Sequence, residues 1–446
     1  CEQQTLKGSC PYLYSWNGEK VEFVTDLLWG APIGLQIAEG VLATPREWEY
    51  LKIPSRFIQA RDSEYDLRIT EELWEAAYFD EVKLYAVDHP EEIEIETNEK
   101  VGPPSVAEHR IFTARNRRLP VSARDAMGND LLPQLSKADD VYAATFHHKM
   151  RQGLAEEHYL ELDFGKLPKF EQLYLYLSGW LYPTDTSINV AASNDPRLSS
   201  PKPLSIQVPD DQGNWQEVVP FSGFPGGKTK TVVYDLSKIF LAEDYRIRFV
   251  SNMEFYWDSV YFTVDEPGEK IEITELPLKE AVLRYRGFSA VVPHPRNGPE
   301  RYDYQSVSEA AKWPNLSGKL TRYGDVTDLV REGDDRLVVM AGGDELKLRF
   351  GVLAKSPPPG WKRDFVLYNV GWDKDADLNT VAGSSVEPLP YRKMDIYPPI
   401  STDGSPEWDS SKSEAYRNYL STYQTRTQSP RSFWSHVLSS NLNQRP

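Results

Sequence analysis

Beyond residue 10 the chain contains no cysteine; Cys1 and Cys10 are the only two in 446 residues. That shortage excludes a zinc site built on cysteine ligands and argues against a thiol nucleophile. Long apolar runs are lacking as well, and none approaches the roughly 18 residues that a membrane-spanning helix needs. Positive charge is in deficit, with 50 Lys+Arg against 67 Asp+Glu and a net charge of −17. Such a field repels phosphate backbones, so nucleic acid is excluded as a general partner, whereas a cation or a cationic partner is favoured.

Catalytic signatures are equally scarce. The seven histidines (His89, His109, His147, His148, His158, His294 and His436) form no H-E-x-x-H or H-x-H arrangement. His147 and His148 are adjacent, and neighbours on a strand point to opposite faces, so the pair is poorly placed to share one metal ion. No G-x-S-x-G occurs, and Ser, His and Asp are too scattered to nominate a triad. A glycosidase needs two facing carboxylates, and the sequence does not single out a pair among 67 acidic residues. Gly226-Gly-Lys-Thr229 imitates the end of a phosphate-binding loop. Position 222 is Ser222 where a glycine is required, and a strand follows where a helix is needed. No catalytic residue is therefore assigned.

What is present points to β-structure. The chain carries 12 Trp, 25 Tyr and 33 Pro, a composition that suits pleated faces, edges and loops better than long helices. Its length exceeds the roughly 250–300 residues at which a single core stops growing. The expected fold is mainly β: two or three sandwich or jelly-roll-like domains with a few short helices, one of them near the C-terminus. Residues 1–100 read as an N-terminal β domain that opens on a hairpin, because Asn17-Gly18 separates Tyr12–Trp16 from Val21–Val24. Tyr65–Ile69 and Val82–Val87 read as further strands of that domain.

Residues 101–155 are polar and poorly periodic, and read as an irregular connector. Residues 156–266 hold seven or so short strands (Ile188–Ala191 among them) and read as a jelly roll of the galactose-binding type. Residues 267–446 read as a C-terminal β-rich domain, with strands at 336–340, 345–350 and 364–368. Its helix begins at a capping box, Ser411-Lys-Ser-Glu414, and carries Tyr416, Tyr419, Leu420 and Tyr423 on one face. A last apolar cluster, Phe433, Trp434, Val437 and Leu438, is expected to dock on the body.

Two features carry binding chemistry. Gly371-Trp-Asp373-Lys-Asp375-Ala-Asp377-Leu-Asn379 places oxygen ligands at alternate positions, as a tight loop around calcium does. The competing reading is a solvated acidic turn after the Asp364–Val370 strand, since the glycine and distal glutamate of an EF-hand loop are missing. Trp180, Trp215 and Trp257 lie in the jelly-roll segment. On an exposed face they would stack on sugar rings; the commoner fate of such residues, and the favoured reading, is core. Cys1 has three readings: a lipidated first residue, a disulfide partner of Cys10, or the edge of a fragment. The first two place the protein outside the cytoplasm.

The stretch Gly8-Ser-Cys10-Pro-Tyr-Leu-Tyr-Ser-Trp16-Asn-Gly-Glu-Lys-Val-Glu-Phe23-Val-Thr-Asp26-Leu-Leu-Trp29 resembles a known bacterial neighbourhood. Val87-Asp-His-Pro90, Phe224-Pro-Gly-Gly-Lys-Thr-Lys-Thr231, Tyr323-Gly-Asp-Val326 and Gly371-Trp-Asp-Lys-Asp375 share the likeness. Together they are similar to the region that follows the FG-GAP/VCBS repeats and ASPIC/UnbV domain of proteins related to cartilage acidic protein, which often carry tetratricopeptide repeats. The resemblance runs from about residue 8 to Tyr423-Gln-Thr-Arg426. It implies an exported bacterial protein and favours the fragment reading of Cys1, but it supplies no catalytic residues. The calcium-binding repeats of those relatives are absent here, so their adhesion role does not transfer. The function expected is a non-catalytic binding, adhesion or scaffold protein of the bacterial cell surface. Its expected partner is a glycan or surface protein, and calcium is the candidate ion. The alternatives are a cell-envelope carbohydrate-active enzyme and a structural subunit of an envelope assembly.

Overall fold

The computed structural model describes residues 11–394, 396–399, 414–429 and 433–434. Cys1, Cys10, Ser411, Val437 and Leu438 lie outside the described residues. The chain is 46% strand and 8% helical, hence mainly β, with a helix near the C-terminus at Glu414–Tyr423. No described helix is long and apolar enough to cross a membrane.

The first hairpin forms where the Asn-Gly signal places it. Trp16 pairs with Val21, and Gly18 takes a φ of +103°, which a side chain would resist. The Asn17 side-chain oxygen accepts the backbone amides of Glu19 and Lys20 at 2.9 Å each, closing the turn. This hairpin edges a sheet that runs Val21–Asp26, Tyr12–Trp16, Glu64–Thr70, Asp344–Gly351, Leu278–Tyr285 and Gly324–Asp325. The facing sheet runs Glu272–Leu276, Glu75–Pro90, Trp361–Asp375 and Trp48–Ile53, with Val338–Ala341 also on Glu75–Pro90. Strands from residues 12–90 and 272–375 thus interleave in both sheets. They enclose one apolar core, which includes Leu13, Trp29, Leu67, Phe79, Leu84, Leu346 and Phe365. Tyr416 and Tyr419 of the C-terminal helix join that core, and Tyr419 Oη donates to Leu337 O at 2.7 Å.

A second sandwich sits inside this sequence. One sheet runs Ser122–Arg124, Leu154–Asp163, Arg246–Met253, Ser205–Pro209 and Trp215–Val219; the other runs Ala143–Ala144, Phe255–Val264, Leu173–Leu181 and Lys230–Asp235. Leu160, Leu175, Val232, Phe249 and Trp257 fill the space between them. Residues 101–155 are more ordered than their polarity predicts. They supply Ile111–Ala114, Ser122–Arg124, Ala143–Ala144 and Lys149–Arg151, strands of two to four residues that are too short to display a period. Ile188–Ala191 is corrected from strand to helix, as part of Thr186–Asn194. Asp185 caps it, its Oδ1 accepting the Ile188 amide at 3.0 Å, so a local cap overrides the weak strand propensity of Ile188 and Val190.

Buried polar groups join the two sandwiches. Lys230 Nζ reaches Asp26 Oδ1 at 3.1 Å, Asp26 O at 2.5 Å and Thr25 Oγ1 at 3.0 Å. The Lys228 amide donates to Asp26 Oδ2 at 2.9 Å, and Lys228 Nζ donates to Glu300 Oε1 at 2.8 Å. The Lys230 and Asp26 side chains are 2% and 0% exposed. Lys228 and Lys230, in and just beyond the Gly226-Gly-Lys-Thr229 segment, therefore act as a clasp. Gly226 is required there, since an added Cβ would lie 2.3 Å from Val101 Cγ2. Lys230→Ala leaves Asp26 buried without its cation, and is expected to cost about 3–5 kcal/mol in urea unfolding. A loss under about 1 kcal/mol would show that the Lys230–Asp26 pair does not hold the junction.

Candidate functional site

Side-chain alternation determines what faces the seam between the sandwiches. In Trp361–Asp375, Phe365 and Leu367 point into the first core, so Asn369, Gly371, Asp373 and Asp375 share that face. The strand continues to Asp375, and Asp373 and Asp375 are therefore strand residues, not members of the loop suggested by their spacing. The partner strand Glu75–Pro90 carries a bulge, since Val370 pairs with Glu81 but Gly371 with Phe79. That extra residue keeps Phe79, Ala77 and Glu75 on the same inward face as Val82 and Leu84. Asp375 then pairs directly with Glu75, and Asp373 with Ala77. Gly371 leaves no room for a side chain, since a Cβ there would sit 2.3 Å from the Tyr78 carbonyl oxygen and 2.8 Å from Trp29 Cζ2.

The result is a carboxylate triad at positions whose parity calls for apolar residues. Glu75, Asp373 and Asp375 each bring an oxygen into a group that lies within 4.8 Å. Glu75 is 3% exposed and Asp373 2% exposed. Among the described residues, Glu75 Oε1 and Asp373 Oδ1 have no hydrogen-bond partner. Burial, reinforced by the charges of Glu71, Asp375 and Asp373, pushes the Glu75 carboxyl well above the ordinary range. Burial and then Asp375 do the same to Asp373. Lys374 offers no relief, for it points to the opposite face. Its Nζ donates to Tyr397 Oη at 2.6 Å and to Glu387 O at 3.1 Å.

The other half of the predicted loop lies apart. Asp377 Oδ1 accepts the Asn379 amide at 2.8 Å and its side-chain Nδ2 at 3.0 Å, and the same Nδ2 reaches Ser187 Oγ at 2.9 Å. Asp377 and Asn379 thus form an Asx turn against the Thr186–Asn194 helix. Glu75 was not singled out from the sequence, since it lies across the sheet from Asp375. The available signal is an acid opening an apolar strand, Glu75-Ala-Ala-Tyr-Phe79.

The triad lines a cleft of about 610 Å³ between the sandwiches. Leu35, Ile37 and Leu42 supply an apolar rim from the first sandwich, and Trp180, Tyr182 and Phe221 form the wall from the second. Trp180 is nearly buried; its indole stacks on Tyr256 at 5.1 Å and donates to Asn297 O at 2.8 Å. Trp257, 1% exposed and stacked on Phe255, is core and offers no face to a ligand. Trp215 is half-buried on the far sheet, under the Arg248 guanidinium at 3.9 Å.

A second cavity, about 850 Å³, opens where Lys228 and Glu300 line both spaces. Its lining includes Lys52, Glu99, Tyr142, Lys230, Asp258 and Tyr261. Burial lifts Glu99 to about 7 against the opposing charge of Lys230, and burial likewise lifts Asp258 to about 6. The folded state therefore holds a proton on Glu99 that the unfolded chain gives up near pH 4.5. The stability from this group is complete below that pH and is lost as pH rises through about 7. The loss by pH 8 is about 3 kcal/mol. Glu99→Gln is expected to remove that part of the decline in urea-unfolding curves recorded from pH 4.5 to 8. An unchanged slope would refute the assignment.

Comparison with known proteins supplies no template for either cavity: no family model, no curated protein and no solved structure matches the chain.

Proposed function

We propose that the chain is an exported, non-catalytic binding module of a bacterial cell surface, and that it takes a glycan into the cleft between its sandwiches. One observation carries the reading. The 610 Å³ cleft is lined both by aromatic side chains, Trp180 and Tyr182, and by the carboxylates of Glu75, Asp373 and Asp375. A pyranose presents an apolar face and a ring of hydroxyls, and such a cleft matches both. Lining residues come from both sandwiches, so the buried clasp at Lys230 also fixes the shape of the site. The resemblance to the region after FG-GAP/VCBS and ASPIC/UnbV segments supports an extracytoplasmic setting. The test is an oligosaccharide array followed by calorimetric titration of the hits. Tyr182→Ala is expected to weaken binding about tenfold, the loss of one aromatic contact. An array without hits, or a hit indifferent to Tyr182→Ala, would sink the proposal.

A second reading, a carbohydrate-active enzyme of the cell envelope, is favoured by the larger cavity. Glu99 and Asp258 line it, and burial raises both carboxyls, Glu99 to about 7 and Asp258 to about 6, towards the range a general acid needs. If that reading is right, polysaccharide digests assayed for new reducing ends will show turnover that Glu99→Gln lowers by about 100-fold or more. Failure to release reducing ends from any polysaccharide tried removes it.

A further inference from the structure

We infer that Glu75, Asp373 and Asp375 hold a divalent cation at the base of the cleft, and that the ion presents its open coordination positions to the bound glycan. The second half of this inference rests on the cleft reading above; the first half does not.

The three carboxylates are in electrostatic conflict. Three carboxylates with oxygens inside 4.8 Å, two of them buried, repel one another strongly when ionised unless a positive charge lies among them. Glu71 adds to the field, and its Oε1 already accepts the Leu73 amide at 3.0 Å. The two most buried members, Glu75 and Asp373, each have an oxygen that no donor among the described residues meets. A buried acceptor left unmet costs about 1–3 kcal/mol, and more for a charged group. A proton shared within the triad meets part of that demand, whereas a cation meets all of it.

The donor set selects the ion. Oxygen donors alone, with neither nitrogen nor sulfur, suit a hard cation and disfavour zinc or copper. Calcium takes six to eight oxygens in flexible geometry, so three carboxylates leave positions for backbone carbonyls, water or ligand hydroxyls. Magnesium demands near-ideal octahedral geometry and gives up water reluctantly. The supports are rigid: Asp375 and Glu75 are cross-strand partners, and Asp373 is two residues along the same face. All three line the cleft, so the side of the ion away from the sheet faces the ligand space.

The experiment is calorimetric titration of the full chain, stripped with EDTA, with CaCl₂ and separately with MgCl₂. Expected are one calcium per chain, weaker magnesium, and a loss of at least about tenfold in calcium affinity for both Asp373→Asn and Glu75→Gln. Asp377→Asn, in the separate Asx turn, should bind as wild type. Both amide variants remove one acid from a repelling group, so in EDTA they should melt at or above the wild-type temperature. That melt shows that they are folded. Absence of calcium binding, or its loss in Asp377→Asn but not in Asp373→Asn, overturns the ion site. For the ligand half, the array oligosaccharide is titrated in calcium and in EDTA, with at least tenfold tighter binding expected in calcium. Equal isotherms overturn the coupling of ion and glycan and leave the cleft reading standing. An oligosaccharide that binds in neither buffer overturns the cleft reading, while the calcium isotherm still decides the ion.

Discussion

The buried pair of Lys230 and Asp26 is the constraint on which the architecture turns. A β-sandwich interrupted by another sandwich has two chain crossings at the seam, and free hinging there would leave no fixed cleft. Lys230 removes that freedom by meeting Asp26 through both side chain and backbone, with Thr25 as a third partner. Lys228 reinforces it by spanning from the Asp26 side chain to Glu300. Both lysines come from one stretch of the inserted sandwich, and their partners belong to the outer one. In a dry seam a lone ammonium is strongly disfavoured, so the pairing gives direction as well as energy to the docking. The two cavities lie on either side of this clasp.

Acidic residues dominate the surface count, yet the consequential ones are inside. Surface carboxylates at net −17 favour solubility and repel anions over a Debye length of about 8–10 Å. Glu75 and Asp373 are different in kind, because burial removes the water that would screen them. Glu99 follows the same physics with an opposite resolution: Lys230 stands nearby, but burial outweighs it and the carboxyl keeps its proton to about pH 7. One protein therefore contains buried acids answered by a lysine, by a proton and, in our proposal, by a metal ion.

Much of the fold was legible from local chemistry. Asn17-Gly18 announced its hairpin, and the tyrosines at 416, 419 and 423 announced a helix that the structure places at Glu414–Tyr423. Six strands of residues 156–266 were readable because each is long enough to alternate, whereas Trp215–Val219 and the two-residue Phe224–Pro225 were not read. The helix at Thr186–Asn194 was missed because two β-branched residues outweighed the Asp185 cap. The interleaving of early and late strands left no local trace, since pairing such as Leu346 with Ile69 is set by topology and not by either segment alone. The site was half legible for the same reason. Asp373 and Asp375 stood out as acids at alternate positions, but the bulge opposite Gly371 and the cross-strand partner Glu75 exist only after the sheet has formed.

Alternation along one strand then explains why those acids matter. A shift of one residue would only have exchanged one buried face for another, since Val370 and Trp372 on the opposite face fill a second apolar cluster and Lys374 is buried beside them. The bulge in Glu75–Pro90 instead holds Glu75 in line with Phe79, and Trp29 over Gly371 leaves that end of the strand no room to turn over. The acids are thus fixed inward by the same apolar packing that builds the core. Turning the strand over would also disturb the packing around Trp29 and Phe79, whose rings meet at 5.1 Å. The sheet tolerates a repelling group at its end because the core on either side gains more by burial than the group loses, a burial term of about 25 cal/mol per Å² against a local penalty. A cation entering from the cleft would relieve that penalty without disturbing the packing that imposes it.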